Sequence, residues 1–507
     1  MRRVSYTSER VLAGLIALLI LAGFAVFALS FVFSRGVCCA DDANNAVVAK
    51  NLAGGLGYAT TMTQGPDRFT QRPFENITTG PALLLPAALA VRVFGNVSWA
   101  PGLAFVICWT LILVAIGWQV WRFAPGSGFT LATATFLFLC YSFTTMHFGQ
   151  WFALLGEIPA ALLLLLGVLL SFGPVSPGPS FAAGIVLAMA VQAKLSALIG
   201  LGAAMGAAGV LHWLDGGRSL PPIAASLRRL WPMTVGFALP LVAFEAWKYS
   251  VLGPSITGNT QDFWSYVVGQ AASSRAATSP LGVYDESLSA LSEGFRILLP
   301  DLVFGGAVVW WLIRHDRGLT RLFIVLASVV VVHSLWWMFL SIGWPRYFVF
   351  AIPAIAFIFT LPLLLTGSDR QARRVYLLLL LLWSSAGWTR LSVPLNSKAS
   401  NGGGPFVATS RTRALTEVAA YLAPMAARQE IIVTQWWATG IDLEYALPGH
   451  GNFTHYKDVA GIDHLPFWIA VNTRFMDEQD QAFAAMLAAC QEQKSFDSYL
   501  VARCGAR

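Results

Sequence analysis

The chain has 507 residues, 56% of them hydrophobic and only 12% charged, with 33 Lys and Arg against 26 Asp and Glu for a net charge of +7. Soluble chains carry about 25% charged residues, so a chain this long and this apolar cannot cover itself with polar surface. A soluble enzyme, a disordered chain and a nucleic-acid binder are excluded as readings of the whole; no nucleic-acid partner is expected, and the basic excess fits Lys and Arg in cytoplasmic loops of a polytopic membrane protein.

The first apolar run, 11–33, follows Arg2, Arg3 and Arg10 and is followed by Arg35, Cys38 and Cys39. It is too long for a signal peptide and lacks a small-residue cleavage site. It predicts a retained helix with its N-terminus in the cytoplasm. Ala43–Leu52 has helical apolar spacing and ends in a glycine-rich stop, Gly54-Gly55-Leu56-Gly57. The apolar segment 80–94 is only about 15 residues long, short for a crossing, and is laid along the outer face. Further spans are expected at about 97–121, 129–146, 155–172, 180–194, 196–213, 230–250, 297–313, 322–341, 346–366 and 375–392, about eleven in all. With that count the loops bearing Arg122, Arg218 with Arg228 and Arg229, Arg314 with Arg317 and Arg321, and Arg370 with Arg373 and Arg374 are all cytoplasmic, as the positive-inside rule asks.

The outer side then holds loops 34–96 and 251–296 and a C-terminal domain, 395–507, behind a transmembrane domain of 1–394. The C-terminal domain opens on the linker-like Asn401-Gly402-Gly403-Gly404-Pro405. Residues 413–428 and 477–490 predict helices, and 430–435 and 466–472 predict buried strands, together a small α/β domain. Six cysteines in 507 residues make no disulfide framework. A Cys490–Cys504 bond is still expected, because one Cys ends a helix, the other follows the strand 498–502, and an exported compartment permits disulfides.

The informative polar residues sit where spans meet the outer face. Asp41 and Asp42 open the helix after the first span; they are either caps of that helix or acids of a site. Glu157, in Gly156-Glu157-Ile158-Pro159, is the only ionised group between Arg122 and Lys194. It is either a first-turn partner of the helix dipole or a functional acid at membrane depth. His147 precedes it. Lys194 stands alone between two apolar runs and must snorkel or find an anion. Glu245 and Lys248 have the spacing of a mutual ion pair. Arg346-Tyr347, in Gly343-Trp344-Pro345, is an isolated outer cation suited to phosphate; the alternative is snorkelling in the aromatic belt. Two carboxylates and two cations facing one outer cavity would suit group transfer from a lipid phosphate.

These motifs, in this order, resemble the GT-C membrane glycosyltransferases, the broad glycosyltransferase family 39-like group holding the protein O-mannosyltransferases and lipid A aminoarabinose transferases. The family's Asp-Glu-Ala pattern stands here as Asp41-Asp42-Ala43, its Ala-Arg-Asn-Leu as Ala49-Lys50-Asn51-Leu52, and its glycine turn as Gly55-Leu56-Gly57-Tyr58. Its Pro-Pro-Leu segment stands as Gly80-Pro81-Ala82-Leu83, ending in Phe94-Gly95. Gly156-Glu157, Lys194 and Arg346-Tyr347 also have family counterparts. Asp42 replaces Glu, Asn44 and Asn45 replace aromatics, and Gly80 replaces Pro.

The resemblance implies an α-helical GT-C-like fold and a glycosyltransferase of the bacterial inner membrane. The donor would be a polyprenyl-phosphate-linked sugar and the acceptor a glycan, lipid or protein. Asp41 would act as base in an inverting reaction, with Asp42 and Glu157 beside it. Lys194, Arg346 and Tyr347 would hold the donor phosphate, and Lys50, His147 and Pro81 would contact substrate. No cofactor is assigned, and a divalent cation on Asp41 and Glu157 is left open, since metal dependence varies in the family. Two other classes compete: a transporter or flippase for a lipid-linked sugar, which would place its charges near the midplane, and a non-catalytic envelope scaffold, which needs no acid at 41.

Overall fold

A computed structural model describes residues 2–37, 40–63, 69–75, 77–123, 132, 135–136, 155–172, 176–215, 223–277, 298–341, 345–365, 375–376, 378, 407–435, 439–457, 465–473 and 481–505. The molecule is mostly helical. Helix α1 (Arg2–Arg35) is followed by α2 (Ala40–Ala53), which departs from it at 89° and so does not continue it. The segment after α2 then forms a hairpin that the sequence did not suggest, β1 (Ala59–Thr63) against β2 (Phe69–Pro73). Asn51 ties α2 to this hairpin, its Nδ2 donating to the Ala59 carbonyl (2.8 Å) and to Thr61 Oγ1 (3.2 Å).

Helix α3 (Pro81–Phe94) starts with Pro81 in its first turn and spans 14 residues, about 21 Å at 1.5 Å per residue, below the roughly 30 Å of a hydrocarbon core. There follow α4 (Ala100–Phe123), α5 (Glu157–Ser171), α6 (Pro177–Ala193), α7 (Ala197–Asp215) and α8 (Ile223–Leu252). The expected outer loop 251–296 instead contains a helix, α9 (Ile256–Ala277); a 3-10 turn at Gly253–Ser255 separates it from α8. Helices α10 (Leu298–Ile313) and α11 (Arg317–Leu340) come next. The expected span 346–366 is broken into α12 (Pro345–Phe348), a 3-10 turn, α13 (Ile352–Thr360) and a second 3-10 turn.

Among the described residues four helices are long and apolar enough to cross a membrane: Ala100–Val120, Ala197–Leu214, Leu230–Ser265 and Arg317–Leu340. Leu21–Arg35 with Ala40–Ala53 makes a fifth if the bent pair is one span. Helices α3, α5, α6 and α13 are apolar but shorter. Of the spans expected from sequence, 129–146 and 375–392 fall largely outside the described residues. Leu111, Val242, Val303 and Phe339 are among the large apolar side chains these helices expose. Helix α5 is the opposite case: from Glu157 to Leu169 every residue is buried, as expected for a helix apolar all round. It is the axis of the bundle, with α4, α6 and α7 packed on it.

The C-terminal part is an α/β unit. Helix α14 (Ser410–Ala427) is capped by Thr409, whose Oγ1 accepts from the Thr412 amide. After it come β3 (Ile431–Thr434), α15 (Ile441–Ala446), β4 (Asn452–His455), β5 (Phe467–Asn472), α16 (Gln481–Ala488), β6 (Glu492–Phe496) and β7 (Tyr499–Cys504). The sheet order is β4-β3-β5-β7-β6, with β4, β3 and β5 parallel and β7 and β6 antiparallel to their neighbours. One face packs Ile432, Trp468 and Val501 on Val418 and Leu422 of α14. The other packs Val433, Ile469 and Val471 on Leu487 of α16. Burial on both faces is why β5 reads as an unbroken apolar run.

Cys490 and Cys504 are joined by a disulfide across a sequence separation of 14, with Cα atoms 4.5 Å apart. Closing a loop of this length stabilises by about 3 kcal/mol in the chain-entropy account. The Cys490→Ser/Cys504→Ser double variant should therefore unfold its C-terminal part at lower denaturant than wild type, read by hydrogen exchange of β5 and β7 in the full chain; equal protection in both proteins would contradict this.

Candidate functional site

The break between α6 and α7 organises the site. Lys194 ends α6 in extended conformation (φ −156°, ψ 127°), and its backbone pairs as an isolated antiparallel bridge with Thr79, just before α3. Two glycines allow this crowding. A Cβ on Gly80 would stand 1.6 Å from the Gln192 carbonyl oxygen, and one on Gly156 would stand 2.0 Å from that of Ala193. Both loops therefore press backbone against backbone around residues 192–194, which no other residue type permits.

That approach brings Glu157, at the start of α5, to Lys194: Oε1 and Nζ are 3.1 Å apart, with side-chain exposures of 4% and 11%. Glu157 Oε2 is buried and has no hydrogen-bond partner among the described residues. From the other side, Thr79 connects the pair to α2. Asn45 Nδ2 donates to Thr79 Oγ1 (3.2 Å), and the Tyr58 hydroxyl donates to the Thr79 carbonyl (2.9 Å). Asp41 lies four residues before Asn45 and shares its helix face; it is half-buried, in the first turn of α2. Four separate segments, around 45, 79–80, 156–157 and 193–194, thus converge.

Asp41 and Asp42 part company here. Asp42 is buried (3% exposed) and lies close enough to Asp442 of α15 for its charge to act on that carboxyl. Asp442 is ion-paired to Arg411 at 2.9 Å. Asn45 is four residues from Asp41 and three from Asp42, so both acids border its face of the helix; what separates them is that the charge of Asp42 reaches Asp442. The sequence placed both in the catalytic set; the structure turns Asp42 toward the C-terminal part.

Lys50, expected to contact substrate, is a second correction. It is 6% exposed and its ammonium donates to the carbonyls of Glu444, Leu447 (3.0 Å) and Gly449 (2.6 Å). Three N–H groups meet three acceptors, which leaves none for a ligand. The expected Glu245–Lys248 pair is also not formed: Glu245 is exposed, while Lys248 donates to Thr260 Oγ1 of α9 at 3.2 Å. Pro81 is buried in the first turn of α3, beside Thr79 and Gly80. His147 lies outside the described residues, as does the side chain of Arg346, whose backbone belongs to α12. Tyr347 of that helix accepts at its carbonyl from His333 Nε2 (2.9 Å), and His333 stacks on Phe350 at 4.7 Å. His333, a lone His in an apolar helix, carried no signal in the sequence, and Thr79 stood only as the first residue of the segment Thr79-Gly80-Pro81.

For a calcium cage built from protein oxygens the donor set does not fit. Glu157 already faces a lysine, and among the described residues no three His, Cys, Asp or Glu side chains gather. Two carboxylates, one of them ion-paired, fall short of the six or more oxygen ligands a calcium site takes.

No protein-family model and no curated protein sequence matches the chain. Solved structures do match its shape. The crystal structure of ArnT from Cupriavidus metallidurans, bound to undecaprenyl phosphate, superposes with a TM-score of 0.62 at 12% identity, covering 97% of this chain and 99% of that one. Its apo form gives 0.60 at the same identity and coverage. An oligosaccharyltransferase from Archaeoglobus fulgidus follows at 0.48 and 11% identity, covering 94% of this chain and 69% of that one.

Burial raises the Asp442 carboxyl from 3.8 to about 6, against the pull of Arg411 and with help from the charge of Asp42. A folded-state value above the unfolded one means that the folded state binds the proton more tightly. The stabilisation from this group is full below about pH 4 and is lost as pH rises through about 6. Thermal unfolding of wild type minus that of Asp442→Asn should accordingly fall between pH 4 and 6.5; a difference independent of pH would remove the buried carboxyl as its cause. This apolar bundle, with its polar break at Lys194 and its C-terminal α/β unit, shares the fold of the ArnT structures and carries helices long and apolar enough to cross a membrane.

Proposed function

We propose that the protein is an inverting membrane glycosyltransferase that moves a sugar from a polyprenyl-phosphate donor to an acceptor hydroxyl or phosphate at the periplasmic face of a bacterial inner membrane. The observation that carries this is the convergence of Asn45, Thr79, Lys194 and Glu157, with Asp41 one turn before Asn45 on the same helix. One of the two ArnT structures, each covering 97% of this chain, has undecaprenyl phosphate bound. At 12% identity that likeness concerns the fold, so the chemistry is argued from the residues.

In this reading Asp41 takes the proton of the acceptor hydroxyl as its oxygen attacks the anomeric carbon. The bond from that carbon to the donor phosphate oxygen breaks, and polyprenyl phosphate leaves with the negative charge. Lys194, held by Glu157 and fixed in an extended residue between two helices, stabilises that charge where little water competes. Arg346, at the start of α12, is the second cation, and a guanidinium can hold phosphate in a bidentate fork. Oε2 of Glu157 is free to accept from a sugar or acceptor hydroxyl. The 1–394 segment is the catalytic domain and 395–507 the periplasmic one.

Transfer of radiolabelled sugar from candidate polyprenyl-phosphate donors in membranes tests this directly. Asp41→Asn keeps shape and capping ability and should cost about 10²–10⁴-fold in rate while the protein still folds and inserts. Full activity in that variant would refute the assignment of the base. A reporter active only outside the cytoplasm should be active when fused after Asn401 and silent after Arg373; the reverse pattern would put the site on the wrong side.

A further inference from the structure

Helix α2 carries the acids in its first turn, yet little in its own sequence holds it in place. Its side chains are mostly small, ADDANNAVVAKNLA. It packs on α3, on β1 and on α15 of the C-terminal part. Ile441 and Tyr445 of α15 are buried in the same apolar cluster as Ala43, Ala46, Val47 and Ala49. The contact is tied at both ends of α2. At its start Asp42 faces the Arg411–Asp442 pair. At its end Lys50 reaches the carbonyls of Glu444, Leu447 and Gly449. Those carbonyls belong to the last turn of α15 and the turn behind it, where helix C-termini leave oxygens unpaired and partly negative.

The turn that receives Lys50 is itself fastened. The Glu444 carboxylate, fully buried, bonds His450 Nδ1 (2.5 Å) and accepts from the Gly451 amide (3.2 Å). The Tyr445 hydroxyl donates to the Val97 carbonyl (2.9 Å) and Asn96 Nδ2 to the Leu447 carbonyl (3.3 Å), both at the turn before α4. Two further bonds hold the start of α14 to the end of α1: the Thr409 amide to the Ser34 carbonyl (2.7 Å) and Thr412 Oγ1 to that of Arg35 (2.6 Å). The C-terminal part therefore grips α2 and the segments on either side of it.

We infer that the α15 turn, residues 441–449, is a positioning element of the transfer site, with Lys50 the positioning residue that sets where the Asp41 carboxylate stands. The inference rests on Asp41 being the base. Lys50 and Asp41 are nine residues apart, about 14 Å along a helix axis, so Lys50 acts through the rigidity of α2 and touches no reacting atom. Its removal lets α2 slide or tilt, and displacement of a catalytic group by about 1 Å can cost about 10²-fold.

The test uses the full chain in lipid nanodiscs with a polyprenyl-phosphate sugar that wild type accepts. Lys50→Met should lower kcat by about 10- to 10²-fold and leave the donor KM within about twofold. Amide exchange across residues 41–53 should quicken, and Lys50→Arg, which restores a multiple donor, should recover most of the kcat. Unchanged kcat in a folded Lys50→Met, or a raised donor KM with kcat intact, would overturn the inference, the second by making Lys50 a substrate contact. Should Lys50→Met fail to fold, Tyr445→Phe removes one bond of the same clasp: a lower kcat at constant KM supports the inference, and an unchanged kcat overturns it. If wild type transfers no sugar, or Asp41→Asn stays active, the glycosyl-transfer reading falls instead. The exchange measurement then decides the clasp alone, and unchanged protection of 41–53 in Lys50→Met would reject it.

Discussion

The ion pair between Glu157 and Lys194 is the constraint around which the helical bundle is arranged. Neither group is exposed enough to be served by water, and breaking a buried pair by removing one partner costs about 3–5 kcal/mol. The two charges must therefore meet, and for them to meet the helix must stop at Lys194. The stop lets the extended backbone at 192–194 receive two loops, each through a glycine. Thr79 enters with one of them and brings α2; Glu157 enters with the other and heads the buried α5. Helix break, backbone bridge and ion pair are one device.

Around it the acids of α2 divide their work. Asp41 shares the face of Asn45, which is hydrogen-bonded to Thr79 and so connected to the charged pair. Asp42 belongs to a second polar cluster with Asp442 and Arg411. Both clusters reach into the interior, and the carboxylates of Glu157 and Asp442 are costly to bury unpaired. A short Ala-rich helix between two such clusters is located by polar contacts at its ends more than by apolar bulk in its middle. This explains why a lysine in the last turn is spent on three carbonyls: directional bonds fix the position of a helix along its axis in a way that methyl groups cannot.

The order of the chain suits that arrangement. The last strand elements close a sheet whose first crossover helix, α15, returns to the segment that follows the first membrane helix. The lipid-facing helices α4, α7, α8 and α11 leave large apolar side chains exposed, whereas the C-terminal sheet is covered by a helix on each face. The two parts obey different solvents, and the polar contacts collect where they join.

Several features were legible in the sequence because they depend on local pattern or bulk composition. The membrane class follows from charge content; α2, α3 and α5 follow from periodicity and from Pro or Gly at their ends; β3 and β5 follow from unbroken apolar runs. The acids and cations worth attention, Asp41, Glu157 and Lys194, stood out because an ionised group in an apolar stretch has few places to go. Only tertiary structure decided what each of them meets. Lys50 matched a motif, yet its partners lie some 400 residues away in sequence and are backbone carbonyls, which carry no side-chain signature. Asp41 and Asp42 are neighbours in sequence, but the helix turns them apart. Thr79 and His333 stand outside any charge pattern, and what they do comes from the backbone they hold. Hydrophobicity and helix periodicity are properties of a segment and survive without the fold; hydrogen-bond and ion-pair partners are properties of distance, and distance exists only once the chain has folded.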